Sequence, residues 1–290
     1  MVNLHCHSEF SLRDGLIRIP ELVDKAKSIG QTAIALTEHG HVASSFDFYM
    51  ACVENNIKPI VGCEAYHVWD ISVKEKGERK QHLTLLAKNA EGYKNLMALL
   101  SIAATDGFYY TPRVDFNLLE KYREGVIAMS ACSFKSALYL YDESDEWAAR
   151  ICRKFKTVYG DDFYLEIMPH QIDFQREHNN RVLQLSEAQN IPLVVTQDSH
   201  YLEPSDRKYH DTLMQMQERQ PYGVDTLFFP SQEDSLGMFS EHKYLLQNKV
   251  FDAIDVTDKI ADSVEDYGIK LGEFNYPKFE VTDEMIRSLR

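Results

Sequence analysis

Short apolar runs alternate with amphipathic stretches along the first 200 residues, which is the pattern of strands followed by helices. Strands that alternate with helices in this way indicate βαβ units and a parallel sheet. Seven such units favour a closed (β/α) barrel over an open sheet. The predicted strands cover residues 2–6, 32–37, 57–66, 82–87, 126–130, 163–167 and 193–197. The predicted helices between them cover residues 20–29, 43–55, 90–104, 134–141, 146–158 and 174–189.

The pattern changes after residue 203. Helices are predicted over 204–218, near 235–240 and over 248–264, followed by an extended segment at 272–280. The last stretch, 282–290, opens with the helix-capping pair Thr282-Asp283 but is too short to be stable alone, which suggests a domain cut from a longer protein. We interpret residues 1–203 as the barrel core and 204–290 as helices and a tail that pack on it within the same α/β domain.

The overall charge limits which partners are plausible. The 290 residues carry a formal net charge of −14, which argues against a broad phosphate-binding surface. An anionic substrate would therefore need a local source of positive charge, and metal ions would supply it. No apolar run reaches the length of a membrane span, and the five scattered cysteines favour a reducing compartment, so we expect a cytoplasmic protein with no membrane partner.

Residues of the types that bind metals collect near the predicted strand ends. His5 and His7 share one face of the first strand because side chains alternate with a period of two, and Asp14 follows in the next loop. Asp198 and His200, with one spacer between them, repeat that pattern. His39, Glu64, His82 and Cys132 complete a set of nine. His82 is inconsistent with the others, because it lies near the start of its strand.

The chemistry of the nine residues favours zinc, with manganese or iron as alternatives. Nine ligands are too many for one ion and are enough for three if a carboxylate bridges. Three acidic side chains and one thiolate against three divalent ions leave about two positive charges, which suits a phosphate ester.

The residues around these ligands resemble the PHP (polymerase and histidinol phosphatase) domain of bacterial replicative DNA polymerase III α subunits. The resemblance extends over nearly the whole chain and rests on HCHS (5–8), FSLRDG (10–15), LTEHG (36–40), IKPIVGCEAY (57–66), HLTLLA (82–87), GFY (107–109), PR (112–113), SAC (130–132) and DSHY (198–201). It implies a distorted seven-stranded, TIM-like (β/α) barrel with a cleft for three metal ions.

The resemblance also implies how the ligands are divided. The first metal would be held by His5, His7, Glu64 and Asp198. Glu64 would bridge to a second metal held by His82 and Cys132, and the third would be held by Asp14, His39 and His200. Of these, Asp14, His39, Glu64, Asp198 and His200 would form the catalytic group.

The function that the resemblance implies is a metal-dependent 3′–5′ exonuclease of proofreading type, acting on single-stranded or primer 3′ ends of DNA. Arg13, Lys88 and Arg113 are either phosphate contacts or solvated surface charges, and Tyr109 and Tyr110 either stack on a terminal base or simply pack. Two alternatives remain: a scaffold module that contacts the rest of a polymerase or an exonuclease subunit, and a phosphomonoesterase of the histidinol phosphatase type. No polymerase activity is expected from 290 residues.

Overall fold

The computed structural model describes residues 1–139, 144–242 and 247–269. Its strands form a curled sheet in the order β1-β2-β3-β5-β6-β7, with β4 paired to β2. The strands are β1 (Ala33–His39), β2 (Lys58–His67), β3 (Gln81–Ala87), β4 (Arg113–Val114), β5 (Val126–Met129), β6 (Phe163–Ile167) and β7 (Leu193–Val195).

The sheet is mixed, and the prediction of a wholly parallel sheet was wrong at one strand. Strand β1 pairs with β2, β5 with β6, and β6 with β7, all in parallel. Strand β3 runs antiparallel to both of its neighbours, β2 and β5. The start of β3 therefore lies at the same edge of the sheet as the ends of β1 and β2.

The opening segment, predicted as a strand over 2–6, makes isolated bridges instead of a ladder. Asn3 bridges to Ile34 and Cys6 bridges to Ser199. The backbone N–H of His7 donates to the carbonyl of Ser199 at 2.8 Å. The segment thus lies between β1 and the chain that follows β7. A fully closed seven-stranded barrel stays a prediction.

Nine α-helices occur in the described part of the chain, and most match the periodicity of the sequence. They are α1 (Ile19–Ser28), α2 (Ser45–Glu54), α3 (Ala90–Thr105), α4 (Phe116–Lys121), α5 (Asp145–Tyr159), α6 (Asp173–Gln189), α7 (Arg207–Met216), α8 (Gln232–Phe239) and α9 (Gln247–Ser263). Helix α4 was not predicted, although the Asp115 carboxylate caps it by accepting the Leu118 N–H at 3.0 Å. The helix predicted over 134–141 is only a short 3-10 turn, Ala137–Tyr139, in its described part.

The C-terminal part contacts the sheet through specific hydrogen bonds. The Thr257 hydroxyl of α9 accepts the Val195 N–H of β7 at 2.9 Å. The Tyr267 hydroxyl donates to the carbonyl of Ala87 at 2.9 Å and accepts the N–H of Val61 at 3.0 Å. The predicted segments 272–280 and 282–290 lie outside the described residues, and the division into a core at 1–203 and a covering segment at 204–290 stays a prediction. None of the helices among the described residues combines the length and apolar character needed to cross a membrane.

Candidate metal centre

The antiparallel direction of β3 brings the strand-borne ligand candidates to one edge of the sheet. His39 is the last residue of β1 and is in register with Glu64 of β2. His82, the second residue of β3, is in register with Tyr66, two residues beyond Glu64. Because β3 is reversed, its start meets the ends of its neighbours, and this removes the inconsistency in the sequence pattern.

Two residues with left-handed backbone torsions direct further side chains to the same edge. Asp198 has φ of +54° and Ala131, directly before Cys132, has φ of +60°. Positive φ is uncommon in residues other than glycine, and it clusters where the surrounding structure imposes it for function. The Ala131 N–H donates to Glu166 Oε1 at 2.6 Å, which holds this turn in place.

All nine predicted ligands are brought together by the fold. We call His5, His7, Asp14, His39, Glu64, His82, Cys132, Asp198 and His200 the nine cluster residues. His7 Nε2 lies 3.0 Å from Asp198 Oδ1, and His39 Nε2 lies 3.1 Å from Asp14 Oδ1. Glu64 is central to the cluster, with Oε1 2.6 Å from His82 Nδ1 and Oε2 2.7 Å from His39 Nδ1. Cys132 Sγ is 4.0 Å from His82 Nδ1.

Three overlapping groups have ligand atoms within 4.8 Å of one another, which is close enough for each group to share one ion. They are His7, His39 and His200; His5, His7 and Glu64; and Glu64, His82 and Cys132. The second and third groups agree with the first and second ligand sets that the resemblance implies. The remaining group contains His7 where the implied third set has Asp14, although Asp14 contacts His39 directly.

Seven polar atoms in this cluster are buried and make no well-directed hydrogen bond among the described residues, although some of them lie close to one another. They are His5 Nε2, His7 Nε2, His39 Nδ1, Glu64 Oε2, His82 Nε2, Asp198 Oδ1 and His200 Nε2. Buried polar atoms are almost always hydrogen bonded, so seven such atoms in one place need another partner. Imidazole nitrogens and carboxylate oxygens are the atoms that zinc and related ions bind, so the residues fit a metal centre.

The hydrogen bonds behind three of the histidines select the tautomer that a metal requires. The Ser11 hydroxyl donates to Glu38 Oε2 at 2.5 Å, so it accepts from His7 Nδ1 at 3.2 Å. His200 Nδ1 donates to the backbone carbonyl of Asp198 at 2.8 Å. His5 Nδ1 donates to Glu166 Oε2 at 3.0 Å. Each Nδ1 therefore carries a proton, and Nε2 is the ring nitrogen that is left to bind an ion.

The electrostatics of the cluster without a metal ion are dominated by its carboxylates. Burial lowers the pKa of His39, but close contacts with the negatively charged carboxylates of Asp14 and Glu64 outweigh burial and raise it to about 10. Burial, together with the neighbouring His39 and His200, lowers the pKa of His7 to about 3. Burial raises the pKa of the Cys132 thiol well above its ordinary value, and the nearby carboxylates add to the effect. A bound cation would reverse that preference and favour the thiolate.

Glu166 is a site residue that the sequence analysis missed. Its carboxylate is buried and accepts hydrogen bonds from the Thr84 hydroxyl at 2.8 Å and the Thr196 hydroxyl at 2.6 Å, besides His5 Nδ1 and the Ala131 N–H. A carboxylate behind a ligating histidine is the usual support of a metal site. The signal in the sequence was an acidic residue inside an otherwise apolar predicted strand.

The C-terminal part contributes residues that were also missed. The Tyr222 hydroxyl donates to Asp14 Oδ2 at 2.7 Å, and Arg219 Nη1 donates to the same oxygen at 3.1 Å. His170 follows β6, is buried, and lines the cavity of about 550 Å³ that contains six of the cluster residues. Its Nδ1 is 2.9 Å from the Thr226 hydroxyl, and its Nε2 has no hydrogen-bond partner among the described residues. His170 lies just past a strand end, which was the signal that could have identified it.

Only one of the three predicted phosphate contacts lies near the cluster. Arg13 is exposed and lines a cavity with Asp14, His39 and His82. Lys88 lies beyond the end of β3, at the opposite edge of the sheet from His82, and its Nζ pairs with Asp162 at 2.7 Å. This position and this ion pair contradict the prediction that Lys88 contacts a substrate phosphate.

The predicted phosphate contact of Arg113 is contradicted for a different reason, because its guanidinium is buried and already bound to groups of the protein. It donates to the carbonyls of Gly107 at 2.8 Å, Val73 at 2.6 Å and Ile71 at 2.7 Å, and it pairs with Glu78. This arrangement anchors the chain around residues 71–78 and leaves no group for a substrate. Other basic side chains lie near the cluster instead: Lys80, Lys135 and Arg219 line the same cavity as Arg13, Asp14, His39 and His82.

Comparison with known proteins shows the family of this chain. The sequence profile of the PHP domain matches residues 3–170, which is more than half of the chain, and the chain belongs to the PHP domain family. A DNA polymerase III subunit alpha from Aquifex aeolicus is 34% identical over 316 aligned residues that cover 99% of this chain and 27% of that protein. Another from Treponema pallidum is 36% identical over 267 residues, covering 86% of this chain and 22% of that protein. The chain thus spans about a quarter of the length of these relatives.

Solved structures with a similar arrangement are more distant. A putative metal-dependent phosphoesterase from Bifidobacterium adolescentis is 17% identical with a TM-score of 0.43, over 69% of this chain and 87% of that one. A histidinol phosphate phosphatase from Lactococcus lactis, complexed with zinc, L-histidinol and phosphate, is 13% identical with a TM-score of 0.34, over 76% of this chain and 94% of that one. At these scores neither structure bears on the function of this chain.

Proposed function

We propose that this protein is a metal-dependent phosphoesterase, and specifically a 3′–5′ exonuclease that hydrolyses the terminal phosphodiester of DNA. The observation that carries the proposal is a set of seven buried ligand atoms without well-directed hydrogen bonds, six of which belong to residues of the three overlapping groups and the seventh to Asp198. Imidazole nitrogens and carboxylate oxygens held this close together in a buried site support cation binding. An intact set of nine ligand types argues against a module that has lost its chemistry.

The nine cluster residues would hold up to three divalent ions, of which zinc suits the mixture of imidazole, carboxylate and thiolate best. Ions bound there lower the pKa of water and stabilise negative charge on phosphate oxygens. The chain's own part is to fix the ligands: Glu166 orients His5, and the Ser11 hydroxyl orients His7. His170 Nε2, in the same cavity, is placed to hydrogen bond with a substrate oxygen.

The charge around the cavity supports an anionic substrate. Arg13, Lys80, Lys135 and Arg219 line one cavity beside the cluster in a protein whose net charge is −14. Burial lowers the pKa of Lys80, and the nearby cations Lys135, Arg113 and Arg13 lower it further, which reflects a local concentration of positive charge. A positive site on an acidic surface focuses a negatively charged ligand on the cluster.

The relatives favour DNA over a small molecule, since those with the matching sequence are DNA polymerase III alpha subunits. The partners that we propose are accordingly DNA 3′ ends and the remainder of a replicative polymerase or an exonuclease subunit, in the cytoplasm. A scaffold role is compatible with the same ligand set and is the principal alternative.

Two substrates distinguish the alternatives. The purified protein, loaded in turn with zinc, manganese or iron, is incubated with a 5′-labelled primer and with a chromogenic phosphomonoester. Stepwise shortening of the primer supports the exonuclease, monoester release alone supports a phosphatase, and metal uptake with neither activity supports a scaffold. Asp198→Asn removes one cluster ligand, so we expect it to lower primer degradation by more than about 100-fold. Asp161→Asn changes an exposed carboxylate before β6 and is the matched control; degradation that persists in Asp198→Asn would indicate a contaminating nuclease.

A further inference from the structure

Three aromatic side chains stand together at the mouth of the metal cavity. Phe134, Phe174 and Tyr222 are 47%, 53% and 36% exposed, and we call them the aromatic platform. The ring centroid of Phe134 is 5.9 Å from that of Phe174 and 6.2 Å from that of Tyr222. Phe134 and Tyr222 line the same cavity as Glu64 and Asp198. Large apolar groups grouped in solvent beside a buried polar site are a mark of a binding surface.

The platform is tied to the cluster through its own backbone and side chains. Phe134 is two residues beyond Cys132, and the next residue, Lys135, accepts the backbone N–H of His82 at 2.5 Å. The Tyr222 hydroxyl donates to Asp14. The same residues that would hold the metal ions therefore also fix the platform.

Helix α6 is joined to this arrangement by a buried hydrogen bond. The Ser133 hydroxyl donates to Gln175 Oε1 at 2.6 Å, which holds the loop after β5 against the start of α6. Phe174 directly precedes Gln175, so the same hydrogen bond brings the Phe174 ring close to the loop that contains Phe134. The two phenylalanines are consequently held as a pair by one buried contact.

Aromatic rings and basic side chains lie next to each other at the platform, which favours a ligand with both a flat ring and a negative charge. Phe134 and Lys135 line both the metal cavity and a second cavity of about 680 Å³, which Phe174 and Arg181 also line. Aromatic rings stack on the π face of any nucleobase, whereas lysine and arginine attract the phosphates that connect nucleotides. A nucleotide combines both features, and an acidic peptide or a sugar phosphate lacks the flat base.

We propose that the aromatic platform stacks against the base of the terminal nucleotide whose phosphodiester lies at the metal cluster. This inference rests on the proposed function and names the part of the substrate that the site recognises. The platform is favoured over Tyr109 and Tyr110, because Tyr110 lines a separate groove that reaches one cluster residue, His39. Stacking of this kind tolerates any base, as a general exonuclease requires.

The test compares two primers that differ only in whether the terminal base is present. One ends in a normal 3′ nucleotide, and the other ends in a tetrahydrofuran residue with the same phosphate and no base. We expect the parent protein to have a KM about tenfold lower for the normal primer, the usual scale for one stacked base. In Phe134→Ala this preference should fall to near unity, and in Phe134→Trp it should be retained. Phe251→Ala, which removes an equally exposed ring on α9, is the matched control.

A loss that is equal on both primers would overturn the proposal, because a merely structural role for Phe134 does not depend on the base. If the parent protein degrades neither primer, the exonuclease proposal fails, and the platform is then tested by binding alone. Fluorescence anisotropy of a labelled oligothymidine should show about tenfold weaker binding in Phe134→Ala at unchanged metal content. Equal binding by the two proteins refutes the platform.

Discussion

The buried carboxylate of Glu166 offers the sharpest test of how the cluster is held. Glu166 Oε1 accepts the Ala131 N–H and the Thr84 hydroxyl, and Oε2 accepts His5 Nδ1 and the Thr196 hydroxyl. The substitution Glu166→Gln keeps the shape of the side chain but replaces one acceptor oxygen by an NH₂ donor. A backbone N–H can only donate, so the amide oxygen should stay beside Ala131 and the NH₂ should face His5.

This reversal of one hydrogen bond changes the tautomer of His5. Its Nδ1 must then accept, so the ring proton moves to Nε2, which lies 3.4 Å from Asp198 Oδ1 and 3.5 Å from Glu64 Oε1. A protonated Nε2 cannot bind a metal ion. Loss of a supporting group behind a histidine ligand typically weakens metal affinity by about 10–100-fold, which is about 1.4–2.8 kcal/mol.

The assay is a zinc titration against a competing chelator, combined with thermal unfolding of the metal-free and metal-loaded protein. We expect Glu166→Gln to weaken zinc binding within that range, while the metal-free protein changes in stability by only about 1 kcal/mol. Asp115→Asn is the control, because Asp115 is a buried carboxylate that caps α4 away from the cluster.

One pattern of results would refute this reasoning. If Glu166→Gln lowers the melting temperature of the metal-free and metal-loaded protein by the same amount and leaves zinc affinity unchanged, Glu166 is a structural residue only. The tautomer argument for His5 would then be wrong.

Two further predictions concern residues outside the cluster. Arg113→Met leaves three backbone carbonyls and the Glu78 carboxylate without their donor, so denaturant unfolding should show a loss of about 3–5 kcal/mol. Lys88→Met, which breaks a partly exposed ion pair, should cost less than about 1 kcal/mol. Normal stability in Arg113→Met would contradict its role as a structural anchor. Burial, with a smaller effect from Lys154, lowers the pKa of His67 to about 3, so the unfolded chain binds the extra proton first and stability falls as the pH drops below about 6.5 toward 3. His67→Phe should reduce the loss of stability between pH 7 and pH 4.5 by an amount on the order of 2 kcal/mol, measured by urea unfolding, and an unchanged loss would contradict the assignment.

The parts of the site that the sequence predicted are those set by local geometry. The alternation of side chains along an extended segment placed His5 and His7 together, and it did the same for Asp198 and His200, without knowledge of any partner. The helices were predicted for a similar reason, because their caps and apolar faces are short-range features. The order of strands and the contacts behind the ligands depend on residues far apart in the sequence.

The wrong predictions for Lys88 and Arg113 show what local sequence patterns cannot predict. Lys88 follows the last residue of β3, and in a parallel strand that position would face the metal cluster. Since β3 is reversed, the same position lies at the opposite edge. The prediction for Arg113 failed for another reason. Its acceptors are the carbonyls of residues 71, 73 and 107, and no pattern in the sequence around Arg113 indicates that these carbonyls surround its guanidinium.

The direction of β3 itself was within reach of the sequence. Two parallel strands need a crossover of a dozen or more residues, usually a helix, whereas antiparallel strands are joined by a simple turn. The connection from β2 to β3 covers residues 68–80, and around 74–80 it is polar and charged with hairpin-like character rather than helical periodicity. No helix forms there, so the chain turns back, and β3 enters the sheet from the edge where β2 ended. His82 can then stand beside Glu64 only because the strand is reversed, which makes the polar, non-helical connection a condition for the second metal group.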